Sequence, residues 1–134
     1  MGATLKSKWV KGYAIFLAIF TYGAGITAYT APQAMFSMLD VDWDAVKMLS
    51  NGFAARNISV GIFALLTIWS KNAHVYLVLF ATRLSIDLQD MINGITVGAD
   101  VISPLATISS LGLAFILPLT LGIRTILKEV NKSS

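Results

Sequence analysis

Residues 13–31 read YAIFLAIFTYGAGITAYTA, without a charged side chain anywhere in the stretch. As an α-helix rising ~1.5 Å per residue, such a run nearly matches the ~30 Å hydrocarbon core of a bilayer, which takes about 20 residues to cross. Residues 101–123, VISPLATISSLGLAFILPLTLGI, repeat the pattern toward the other end of the chain. Two further apolar blocks lie between them. From Lys47 to Lys71 the one internal charge is Arg56, and from Lys71 to Asp100 the internal charges are Arg83, Asp87 and Asp90. The spacing predicts four transmembrane helices, at about 12–31, 47–70, 73–97 and 102–124. The expected fold class is all-α, an integral membrane four-helix bundle forming a single domain over residues 1–134.

Composition points the same way. The 134 residues are 56% hydrophobic and 13% charged, whereas an average soluble domain carries about 25% charged residues. Without cysteine, the chain has no disulfides, thiolate metal sites, thiol redox chemistry or cysteine nucleophile. The net charge of +3 does not imply a nucleic-acid partner, because the charges fall between apolar blocks and form no basic face. The first block has a basic front, KSKWVK, and small residues near TAYTA, as a signal peptide would; it is expected to stay as the first helix. NIS at 57–59 matches a glycosylation acceptor but falls inside a predicted span.

Cytoplasmic loops carry an excess of Lys and Arg. Lys6, Lys8 and Lys11 precede the first helix, Lys71 sits in the turn SKNAH, and Arg124, Lys128 and Lys132 follow the last helix. Four crossings bring these to one side, opposite Asp40, Asp42, Asp44 and Asp100. Both termini are expected in the cytoplasm of a bacterial cell, with the chain in the inner (plasma) membrane. Trp9, Tyr13, Trp69 and Tyr76 form the expected inner aromatic belt, Tyr29 and Trp43 the outer one. The connection PQAMFSMLDVDWDAV reads either as a short surface helix or as an irregular acidic loop. Gly23, Gly25 and Ala28, and Gly94 with Gly98, offer close helix packing. Pro118 removes a backbone donor and should kink the last helix toward its cytoplasmic end.

The ionisable groups within the spans carry the functional question. Arg83, Asp87, Asp90 and Gly94 are spaced to lie on one helical stripe, continued by Tyr76. Counting from Lys71, Arg56 is fifteen residues back and Asp87 sixteen on, so both sit roughly 22 to 24 Å from that turn. A hairpin can bring Arg56 against Asp87, with Asp90 one turn farther out and Arg83 one turn farther in. A lone charge at mid-bilayer costs about 2.5 to 3.5 kcal/mol by insertion scales, so the quartet is expected to face inward and pair, with Asn57 and Asn93 among the nearby hydrogen-bonding groups. Two readings stay open: a neutral network that fixes helix register, or the lining of a pocket or half-channel. Asp87 and Asp90 are the candidates for a catalytic acid or base. His74 reads as a solvated or headgroup contact, and no histidine or glutamate lies at metal-ligand spacing from it. DVDWD lacks the glycine and distal glutamate of a calcium loop. No metal is expected, and no cofactor is readable.

At GFAARNISVGIFALL and RLSIDLQDMING the chain resembles the DoxX-like group of small four-helix membrane proteins, through Arg56, Gly61, Asp87 and Asp90. Some members of that group are subunits of a thiosulfate:quinone oxidoreductase. The resemblance carries no redox function here, since no haem-ligand or cysteine pair accompanies it. The microsomal glutathione transferase group is similar in helix number and length but has an Arg- and Glu-rich second helix that AARNISVG lacks. The function expected is an accessory subunit or binding protein for a lipophilic ligand, such as a lipid or quinone, or for a larger membrane complex or homo-oligomer. The alternatives are a small membrane isomerase or hydrolase using an intramembrane aspartate, and a proton- or ion-conducting oligomer.

Overall fold

The computed structural model describes residues 4–31, 47–96 and 103–133. These form helices α1 (Lys8–Thr30), α2 (Lys47–Ser70) and α3 (Ala73–Thr96), then a continuous helical run made of α4 (Pro104–Leu111), a π-helical segment (Gly112–Ile116) and α5 (Leu117–Ser133). Among the described residues there is no strand, only an isolated antiparallel bridge between Thr4 and Asn72. Three helical stretches, Lys8–Thr30, Asn51–Ser70 and Leu105–Lys132, are long and apolar enough to cross a membrane. α3 is as long as α2, but it contains three charges, Arg83 near its middle and Asp87 and Asp90 in its second half.

Two ends differ from the positions expected from charge. α1 begins at Lys8 rather than near residue 12, and the last helix continues to Ser133 rather than stopping near 124. The first lysine or arginine after an apolar run marks the edge of the hydrocarbon, not the end of the helix: RTILKEVNK contains good helix formers and neither glycine nor proline. The predicted surface helix, the acidic cluster at Asp40, Asp42 and Asp44, Trp43, Asp100 and Gly98 lie outside the described residues.

The chain divides into two units. One contains residues 1–13 and 67–134. Within it α3 runs along α5 and also packs on α4 and the π segment. Phe80 lies on Gly122, where an added Cβ would sit 2.6 Å from Cδ2 of the ring, and Gly94 lies on Thr107. The helix starts are capped locally. Asn72 Oδ1 accepts from the His74 amide at 2.8 Å, and Ser103 Oγ accepts from Ala106 at 3.2 Å ahead of Pro104. Lys71, at φ 58°, ends α2 in the left-handed conformation.

The second unit contains residues 14–66, with α1 and α2 antiparallel. Gly25 meets Ile58 and the Ala54 carbonyl, and Gly61 meets Tyr22, the close backbone approach that small residues permit. Gly25 and Ala28 thus pack as expected, Ala28 being fully buried. Gly23 does not: a Cβ there would meet nothing within 4 Å, because two residues of helix turn it ~200° from Gly25. Large apolar side chains such as Ile19, Leu65 and Leu66 face outward, as on a helix surrounded by apolar material.

Candidate functional site

The buried face of α3 is formed by Ala73, Tyr76, Leu79, Phe80, Arg83 and Asp87. Its spacing follows the 3.6-residue repeat, so the charged pair lies one turn apart and points the same way. Arg83 Nε donates to Asp87 Oδ2 at 3.0 Å, with the two side chains 7% and 1% exposed. Both charges have left solvent together. That removes much of the cost either would bear alone.

An aromatic ring lies against the guanidinium. The Arg83 guanidinium carbon is 5.2 Å from the Phe115 ring centroid, within range of a cation–π attraction. Phe115 is the buried residue of the π segment, and that segment ends two residues before Pro118. In α-helical register the N–H of residue 118 would bond the Ala114 carbonyl, but proline has none and its ring crowds that same carbonyl. Accordingly the Leu117 amide donates five residues back, to Gly112, instead of four. The Ala114 carbonyl accepts instead from the Tyr13 hydroxyl, at 2.7 Å. Tyr13 also meets Phe80 edge to face, with centroids 5.9 Å apart and planes at 70°. The proline expected to kink the last helix thus produces a π segment, and that segment carries Phe115 to the guanidinium.

The structure distributes the sequence-selected residues unevenly. Tyr76, Arg83 and Asp87 share the buried face, Asp90 one turn on is half-buried, and Asn93 is exposed. Asn57 is buried on α2, where its Nδ2 donates to the Phe53 carbonyl at 2.9 Å. Arg56 lies in the other unit, exposed, with its guanidinium carbon 5.1 Å from the Phe53 ring centroid. Asp87 pairs with Arg83 on its own helix, a member of the expected charged stripe. Sequence reasoning passed over Tyr13, Phe80 and Phe115 as partners of the charged stripe. A usable signal existed in Pro118, which leaves a carbonyl four residues earlier in need of a donor.

A groove of about 370 Å³ lies on the second unit, lined by Ala18, Ile19, Tyr22, Gly23 and Leu65. Its walls are almost wholly apolar, and the missing Cβ at Gly23 keeps it open. None of the charged stripe lines it. Compared with known proteins, the chain matches no family model, no curated protein and no solved structure.

Proposed function

We propose that the chain crosses a bacterial inner (plasma) membrane four times, with both termini cytoplasmic, and acts there as a nonenzymatic binding protein or accessory subunit for a lipophilic molecule such as a lipid or quinone. The observation that carries this reading is the groove of Ala18, Ile19, Tyr22, Gly23 and Leu65. Its volume is within the range of small-molecule sites, and its walls suit a hydrocarbon or isoprenoid chain. Asp87 and Arg83 serve the interior as a mutually neutralised pair, in keeping with a scaffold role for the stripe and with little access for a substrate. Membership of the DoxX-like group is proposed on the Arg56, Gly61, Asp87 and Asp90 motifs alone.

Native mass spectrometry of the full chain released from nanodiscs tests the groove. Wild-type protein is expected to retain a lipophilic molecule, and Gly23→Leu, which has space for its side chain, to lose it. Retention unchanged in Gly23→Leu, or no retained molecule in the wild type, would overturn the assignment.

A further inference from the structure

One end of the first unit gathers charge. The backbone of residues 4–7 is strapped across it: Thr4 bridges Asn72, the Leu5 amide donates to the Lys71 carbonyl at 3.0 Å, and Leu5 is fully buried. The Lys6 and Ser7 amides then donate to the two carboxylate oxygens of Glu129, at 2.6 and 3.2 Å. The strap therefore holds Lys6 and Lys8 beside the α2–α3 turn with Lys71 and beside the last turns of α5. There Arg124, Lys128 and Lys132 follow one another at i, i+4 and i+8, all exposed. Lys11 joins them. Seven of the chain's ten lysines and arginines thus share this end with one carboxylate, Glu129, whose oxygens are both engaged by the strap's amides.

Two features set the depth of this cluster. Trp9 and Trp69 are exposed on the same unit, Trp69 at 80%, and exposed tryptophan is enriched at headgroup level. The apolar stretch Leu105–Lys132 has 28 residues, or about 42 Å of helix, against a ~30 Å hydrocarbon core and about 40 to 45 Å including headgroups. Its basic end falls among the headgroups. Like charges one helical turn apart repel, and the 124–128–132 stripe is relieved of that repulsion when anionic phosphates lie between its cations.

From this we infer that the basic end is a binding surface for anionic phospholipid headgroups of the adjoining leaflet, with Lys6, Lys128 and Lys132 as its principal contacts. The inference is separate from the groove and rests on the membrane-spanning part of the proposed function. The test places the full chain in nanodiscs of equimolar phosphatidylcholine and phosphatidylglycerol, then reads the ratio of the two lipids retained on release by native mass spectrometry.

The wild type is expected to enrich phosphatidylglycerol, with enrichment falling as salt is raised, because exposed charges are screened over about 8 to 10 Å. The triple variant Lys6→Gln, Lys128→Gln, Lys132→Gln should lose about fivefold per cation at low salt, and the corresponding triple Lys→Arg variant should retain the preference. A wild-type chain that enters the nanodisc and holds both lipids equally overturns the inference. So does enrichment that is indifferent to salt, or that survives the triple Gln variant but disappears in Arg56→Gln. Should the triple Gln variant fail to fold, as judged by circular dichroism, the wild-type salt series decides alone. Failure of the wild type to enter the bilayer would refute the spanning topology instead.

Discussion

Removing the Tyr13 hydroxyl tests whether Pro118 created the need that this hydroxyl fills. Tyr13→Phe keeps the edge-on contact with Phe80 and deletes only the 2.7 Å hydrogen bond to the Ala114 carbonyl. An intramolecular hydrogen bond contributes about 0.5 to 1.5 kcal/mol net, and the Ala114 carbonyl is on an exposed part of the helix, so no burial penalty is added. The expected destabilisation is about 1 kcal/mol, from that same range. In a Pro118→Ala background the N–H at 118 is restored and can reach Ala114 in α register, so the same Tyr13→Phe change should cost less than about 0.5 kcal/mol. Equilibrium unfolding in mixed micelles, followed by far-ultraviolet circular dichroism for the wild type, both single variants and the double variant, yields the coupling. Distant, independent sites add within about 0.3 to 0.5 kcal/mol. Equal cost in both backgrounds would therefore refute the argument that Tyr13 replaces the missing proline donor.

Asp87→Asn or Arg83→Gln should each destabilise the protein by about 3 to 5 kcal/mol, because each leaves the other charge buried beside a neutral group. The paired replacement Arg83→Met, Asp87→Leu should cost less than the sum of the singles in the same unfolding assay; simple additivity would show that the two groups do not act as a pair. Thr21 is fully buried and its hydroxyl makes no hydrogen bond among the described residues, so Thr21→Val should raise stability by about 1 kcal/mol, read as a shifted unfolding midpoint, and a loss of stability would contradict that environment. Gly122→Ala should destabilise by about 1 to 3 kcal/mol through overlap with the Phe80 ring. Phe80→Leu should recover part of that loss in the double variant, and a tolerated Gly122→Ala would place the ring elsewhere.

How far the site could be read beforehand follows from what sequence spacing encodes. Periodicity along one helix is strict, and it placed Tyr76, Arg83 and Asp87 on one face, where the structure has them. Depth across a hairpin is also countable, and the count from Lys71 predicts one level for Arg56 and Asp87. Level says nothing of direction around the axis. On α2, Ala54 and Ile58 face Gly25 of α1, and Arg56 stands two residues from each, roughly 200° away. Arg83, four residues before Asp87 on the same helix, has a geometry that the backbone already supplies.

Backbone acceptors are harder still to read, because a carbonyl has no letter in the sequence. The Ala114 carbonyl becomes legible only through the proline four residues later, and Tyr13 becomes its natural donor only once the strap from Thr4 to Ser7 ties the start of α1 to the end of α5. Charge counting has a related blind spot. It locates the two surfaces of a bilayer, so it stopped the last helix near Arg124, whereas helix propensity carries the backbone on to Ser133. The nine residues between those two limits contain Lys128, Glu129 and Lys132. The carboxylate among them secures the strap and the cations face outward, because the helix passes the hydrocarbon edge without ending there.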